Sequence, residues 1–252
     1  MLLTEFLLFT QMFQANIAYS LFESESSASR PRTREWGMSI HWSRPLLEQL
    51  LPEELLARLR EAVVDPSFDS SAEGGYTVPF YNGQTGEHII AMPMKNAIRV
   101  SRRKMRNLCS EGLDIKYGEK LVSVTHEGSG VTAVFASGTT AKGTIVIGTD
   151  GPQSTVRKIL LGDKAASVPL DVVLYNINVC YGDAERALAV RKLHPMNTVA
   201  LQPDRALSVW TSSKASRCFF LRNNGLTFYS SRRPRPRKAG DMGVSTDAHV
   251  VE

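Results

Sequence analysis

Glycine does not occur before Gly37 in this chain of 252 residues. That excludes a glycine-rich phosphate turn from the opening segment, because such a turn needs bare backbone to approach a pyrophosphate closely. Cysteine is nearly as scarce: Cys109, Cys180 and Cys218 are odd in number and far apart. This excludes a disulfide framework and a cysteine-rich metal knot, and it fits reduced thiols in a cytoplasmic protein. The five histidines are equally scattered, so no metal site is expected. Neither a Ser–His–Asp nor a Cys–His nucleophile pattern is recognisable. Long apolar runs are missing too. The opening MLLTEFLLFTQMF is short for a membrane span, is interrupted by Glu5 and has no basic residues before it. It reads as a helix packed on a sheet, with a signal or anchor segment as the alternative, and a membrane partner is not expected.

What is present is the composition of a globular protein, 42% hydrophobic and 22% charged. The formal net charge of +5 is unevenly placed. Residues 217–238 hold seven Lys or Arg and no acid, and the remainder balances 23 basic against 25 acidic residues. The basicity therefore belongs to one late segment, which argues against a nucleic-acid partner. Residues 230–252 carry Pro, Gly and charge without apolar periodicity and read as a disordered basic tail.

Along the chain, Asn16 to Glu23 alternates and ends in an acid, the pattern of a parallel strand. Ser43 caps a helical stretch, and Pro52 opens a second with Leu55, Leu56, Leu59 and Val63 as its stripe. Tyr76–Tyr81 and Glu87–Met92 form a predicted hairpin around Asn82-Gly83-Gln84-Thr85-Gly86. Ser101 to Ser110 is a predicted helix with Met105, Leu108 and Cys109 inward and Gly112 past its end. Three short strands are expected at 116–125, 131–136 and 144–147. Further strands are expected at 172–181, in TVALQ, ALSVW and CFFLR, with a helix near 184–193.

The densest signal is TIVIGTDGPQSTVRKILLG, residues 144–162. An apolar run leads into a glycine-containing turn, and Ser154 caps a helix carrying Val156, Ile159 and Leu160. Asp150 at the mouth of a helix can accept hydrogen bonds from hydroxyls, while free backbone N–H groups favour phosphate. The run GTDGPQSTVR resembles the G-A-D-G-x-x-S-x-V-R signature of FAD-dependent aromatic hydroxylases, the class A flavoprotein monooxygenases. Thr149 in place of Ala is the one departure.

The resemblance implies a fold class and a set of site residues. The fold is α/β: a Rossmann-like FAD/NAD(P)-binding domain over 1–164, with a substrate-side insertion at about 37–98. A partial substrate-domain sheet would follow over 165–229. The first strand and glycine-rich loop are missing, as is the later G-D-A-A-H motif, so the chain is expected to be shortened at both ends. Asp150 and Gly151 would contact the flavin's ribityl and pyrophosphate region. Glu23 would bind the adenosine ribose, with a surface Glu at a strand end as the alternative. Arg34 would reach the flavin from the RPRTR loop, with Arg30 and Arg32 as neighbours in the same loop and a solvated basic loop as the other reading. Arg102 matches an R-x-x-L helix start, against a solvated face made by the five basic residues of 99–106.

In that family reduced flavin reacts with oxygen to hydroxylate a small organic substrate, and NAD(P)H supplies the electrons. Two outcomes stay open: a flavin-dependent monooxygenase, or a non-catalytic remnant with weak or no flavin binding.

Overall fold

The computed structural model describes residues 8, 10–12, 14–27, 37–70, 76–170, 173–180, 183–202, 204, 207–214 and 222–230. The expectations for 1–7, for Arg30, Arg32 and Arg34, for most of CFFLR and for residues 231–252 lie outside them.

Strand β1 (Leu21–Glu23) pairs in parallel with β6 (Ile115–Tyr117), Leu21 opposite Ile115 and Glu23 opposite Tyr117. The parallel pairing is as expected, but only the last three residues of the Asn16–Glu23 run form the strand. Asn16 takes a left-handed φ of 53°, which no extended strand contains.

A second two-stranded unit is the antiparallel ribbon of β2 (Gly37–Ile40) and β5 (Ile98–Ser101). Every residue of β5 is buried, so both of its faces are covered. Ile98 and Val100 face a core shared with Leu47 of α1 (Arg44–Leu50), Leu59 and Ala62 of a 3₁₀ turn, and Met105, Leu108 and Cys109 of α3 (Arg102–Ser110). The intervening α2 (Glu53–Ala57) begins directly after Pro52. Helix α3 follows its sequence signals: Ser101 Oγ accepts the Lys104 N–H at 3.2 Å, and Gly112 just past the end takes φ 77°.

The predicted hairpin is β3 (Tyr76–Asn82) with β4 (His88–Met94), its turn tied by Asn82 Oδ1 accepting from Gln84 N at 2.8 Å. It belongs to a six-stranded sheet with β10 (Val173–Cys180), β11 (Asn197–Gln202), β12 (Leu207–Lys214) and β13 (Arg222–Ser230), in the order β10-β13-β12-β11-β3-β4. The β3–β11 junction is parallel, with Phe80 opposite Val199; the other pairs are antiparallel. Between the hairpin and the ribbon a second core gathers Val64, Tyr76, Val78, Ala97 and Met196. Helix α5 (Ala184–Leu193) is held to it by Arg191, which pairs with the buried carboxylate of Asp65.

The meander needs two corrections: the expected strand at 116–125 is broken, its first residues lying in β6 beside β1, and the expected strand at 144–147 does not form. Its strands are β7 (Leu121–Glu127), β8 (Gly130–Phe135) and β9 (Thr140–Gly143), so the last strand ends before Thr144. Ile145, Val146 and Ile147 form no strand, and Ile145 is 72% exposed. β-branched apolar residues fit a ladder only when a neighbouring strand supplies hydrogen bonds and packing, and none among the described strands does so here. Phe22 of β1 stacks on Phe135 of β8 at 4.4 Å between ring centroids, which joins the meander to the parallel pair. Helix α4 (Thr155–Leu161) follows the Asp-Gly turn, as its Ser154 cap predicts.

Candidate functional site

Two places hold the residues that the sequence singled out. The first is the end of β1, where Glu23 is only 3% exposed. The surface reading of that residue is therefore wrong. The chain leaving β6 closes over the strand end, with Gly118 N donating to Glu25 O at 2.8 Å and Glu119 N to Glu23 O at 2.9 Å. Glu23 Oε1 accepts from Ser24 Oγ at 3.1 Å and from Glu25 N at 2.9 Å, and its Oε2 lies 3.9 Å from Arg106 Nη2. Arg106 also hydrogen-bonds Glu25 through Nη1. Sequence reasoning missed Arg106, although it stands four residues after Arg102, the spacing that puts both on one side of α3.

Arg102 opens that helix and is half-buried. Of the five basic residues at 99–106, only Arg103 and Lys104 are exposed. The basic stretch is thus not one solvated face. Apolar residues at helical spacing, Met105 with Leu108 and Cys109, fix which cations turn inward. Burial pushes the Cys109 thiol up to about 12, which removes it as a nucleophile near neutral pH.

The second place is the turn before α4. Asp150 accepts from Ser154 Oγ, from Thr155 N at 2.5 Å and from Val156 N at 3.4 Å. Ser154 Oγ in turn accepts from Arg157 N at 2.9 Å. Partial burial works to raise the Asp150 carboxyl, but the donors of Ser154, Thr155 and Val156 overcome it and hold it below the ordinary carboxylate value. The helix mouth expected to receive phosphate is therefore capped by the chain's own carboxylate. Gly148 packs its backbone on Val156, where an added Cβ would sit 2.3 Å from the valine Cβ. Gly151 is different: it takes φ 80°, and nothing lies within 4 Å of where a Cβ would be. The backbone there is bare and faces open space.

Comparison with known proteins sets these features in a family. No protein-family model matches the chain. The FAD-dependent monooxygenase phnB of Penicillium herquei is 42% identical over 192 residues, which is 75% of this chain and 46% of that protein. The FAD-dependent monooxygenase cctM of Talaromyces islandicus is 36% identical over 185 residues, 73% of this chain and 46% of that protein. The chain belongs to the FAD-dependent monooxygenase family. It spans about half the length of the curated relatives it matches.

Solved structures of other proteins share the fold. The 2,6-dihydroxypyridine-3-hydroxylase of Arthrobacter nicotinovorans superposes with a TM-score of 0.63 at 19% identity, over 90% of this chain and 54% of that one. Klebsiella pneumoniae HpxO, solved with FAD and uric acid, gives 0.63 at 14% identity, over 95% of this chain and 56% of that one. The mixed α/β fold is thus that of FAD-binding monooxygenases. No helix among the described residues is long and apolar enough to cross a membrane.

The residues present fit part of such a cofactor. The bare backbone at Gly151 leaves the close approach that a flavin side chain needs. Glu23 stands at the end of a parallel strand, but its carboxylate is buried and engaged by Ser24, Glu25 and Arg106. A glycine-rich turn for the pyrophosphate is not among the residues before Glu23.

Proposed function

We propose that the chain acts as an FAD-dependent monooxygenase on small organic substrates, with NAD(P)H as electron donor and oxygen as co-substrate. The observation that carries this reading is the Asp150–Gly151 turn, an acid-capped helix beside open, bare backbone, in a chain 42% identical to an FAD-dependent monooxygenase over 192 residues. When bound, the flavin supplies the redox chemistry and the oxygen insertion. The protein's part is to hold and orient it. Gly151 would let it lie against the main chain, Asp150 would keep α4 in place beside it, and Glu23 would meet the adenosine ribose only by exchanging its contacts with Ser24, Glu25 and Arg106 for the ribose hydroxyls. Arg102 would approach it from α3, and Arg34 from the segment preceding β2 in the sequence. In this reading 1–164 is the flavin-side unit and 165–229 contributes the substrate-side sheet, in a cytoplasmic protein.

The reading to set against it is a folded chain without activity. One assay separates the two. Purified protein with added FAD is given NADPH or NADH and a panel of phenols and hydroxypyridines, and oxidation is followed together with product mass. Substrate-stimulated oxidation with a product heavier by one oxygen atom supports the enzyme. A folded protein that gives neither overturns it.

A further inference from the structure

His194 directly follows α5 and stands three residues before the start of β11. Its Nδ1 accepts two backbone hydrogen bonds, from Met196 N at 3.1 Å and from Asn197 N at 3.2 Å. Turns closed by a side chain in this way usually employ Asn, Asp, Ser or Thr, whose oxygens accept at any pH near neutral. Histidine differs. Its Nδ1 accepts only in the neutral ring that carries its proton on Nε2, whereas the imidazolium donates from both nitrogens. A proton on Nδ1 would set a third donor against the N–H groups of two buried residues, Met196 and Asn197.

The ring is half-buried against two others. Its centroid lies 5.9 Å from that of Phe68, edge-on, and 5.6 Å from that of Tyr76, and Phe68 and Tyr76 are 6.0 Å apart. The three rings belong to separate pieces of chain: the segment after Asp65, strand β3, and the turn from α5 into β11. Met196, inside that turn, packs in the same core as Tyr76. The charges around the ring do not favour an imidazolium. Asp65, ahead of Phe68, is taken by Arg191 of α5 and by Ser67. Asp69, beside Phe68, and Lys192, in the last turn of α5, are exposed. Tyr76 is a phenol that burial pushes up, and the charge acting on it from β5 is the cation of Arg99. Burial alone lowers the imidazole of His194 below its ordinary value.

We propose that His194 is a proton-operated latch on the six-stranded sheet. Neutral, it holds the turn from α5 into β11 closed against Phe68 and Tyr76. Protonated, it lets go of the Met196 and Asn197 N–H groups and loosens the entry into β11, the strand that makes the parallel junction with β3. Folding lowers the ring, so the unfolded chain takes up its proton first. The latch therefore contributes fully above about pH 6.5, and its contribution is lost as the pH falls from there through the folded value. Asp65, held below 3.8, responds only in more acid solution. The latch does not depend on flavin, so it stands or falls apart from the monooxygenase reading.

The test combines an NMR titration of the full chain, labelled on its histidine rings and backbone amides, with urea unfolding at pH 7.5 and pH 5.0. The His194 ring carries its proton on Nε2 at pH 7.5 and titrates below 6.5, and the Met196 and Asn197 amide signals move with the same midpoint. His194→Asn places an oxygen where Nδ1 stands, so it still closes the turn but takes up no proton. His194→Phe keeps a ring and removes the acceptor. Between pH 7.5 and pH 5.0 the folding constant of the natural chain falls by about 3- to 10-fold more than that of His194→Asn, the linkage of one proton. His194→Phe is weaker already at pH 7.5 and lacks that extra fall. A His194 midpoint at or above 6.5, Met196 and Asn197 amides that stay still while the ring titrates, or an equal fall in a folded His194→Asn variant overturns the proposal. If neither variant folds, the ring and amide titration of the natural chain decides alone.

Discussion

Replacing Arg106 by Met removes the cation that faces Glu23 from α3. The Glu23 side chain is 2% exposed and that of Arg106 14%, and the closest approach between the charges is 3.9 Å. At an effective dielectric of about 20, two unit charges at that distance attract by about 4 kcal/mol. Removing one partner of a buried pair costs about 3–5 kcal/mol, because the other charge stays buried. Against a total stability of about 5–15 kcal/mol that is a large share. For a chain of this size each kcal/mol lowers Tm by about 2–4 °C, so the expected fall is about 6–20 °C. Urea unfolding followed by circular dichroism reads the loss directly. The double variant Glu23→Gln with Arg106→Met should recover part of it, since the more buried of the two stranded carboxylates is gone and only Glu25 stays without its cation. A loss below about 1 kcal/mol in the single variant, or no recovery in the double, refutes the assignment of Arg106 as the partner of Glu23.

Ser154→Ala removes the cap of α4 and a donor to Asp150, and should cost about 1 kcal/mol at neutral pH in urea unfolding. Asp150 is held below its ordinary value, so its contribution is present above about pH 4 and is lost as the pH falls through its folded value. The Ser154→Ala deficit should therefore be smaller at pH 3 than at pH 7. Gly148→Ala forces a Cβ to within 2.3 Å of Val156 and should destabilise by about 1–3 kcal/mol by thermal melting. Met105→Ala empties a fully buried position in the α3 core and should cost about 2–5 kcal/mol in the same measurement. Cys109, with its thiol pushed up to about 12, should resist iodoacetamide at pH 8 in the native protein and react once urea unfolds it, as read by peptide mapping.

Local chemistry made much of this legible. The Asn82–Gly86 turn marked the hairpin, Ser101 and Gly112 bracketed α3, and the alternating run ending in Glu23 gave a parallel strand. Ser154 marked the start of α4. What stayed hidden depends on distant partners. Three apolar residues before Gly148 read as a strand from composition, yet a strand needs a neighbour, and Ile145 to Ile147 has none in the described ladders. The parallel contact of β3 with β11 joins Phe80 to Val199, a pairing that no local pattern encodes. In the candidate site, Asp150 was legible as a helix-mouth acid, but its role in capping its own helix was not. Five cations crowded at 99–106 look alike in sequence. Only the packing of α3 and β5 separates buried Arg99, inward Arg102 and Arg106, and solvated Arg103 and Lys104.

In the proposed function the Asp150–Gly151 turn would hold part of a flavin, and the residues before Glu23 include no glycine-rich turn for its pyrophosphate. Losing about two charge-assisted hydrogen bonds at about 1.5–3 kcal/mol each weakens binding by about 10²- to 10⁴-fold. Starting from a nanomolar site, that places FAD near the micromolar range. The direct measurement is quenching of FAD fluorescence on titration with the purified chain, followed by gel filtration of the mixture. The expected result is saturable, micromolar binding that ADP-ribose competes away and that does not survive the column. Absence of any saturable quenching, or a stoichiometric yellow chromophore retained through gel filtration, contradicts the account.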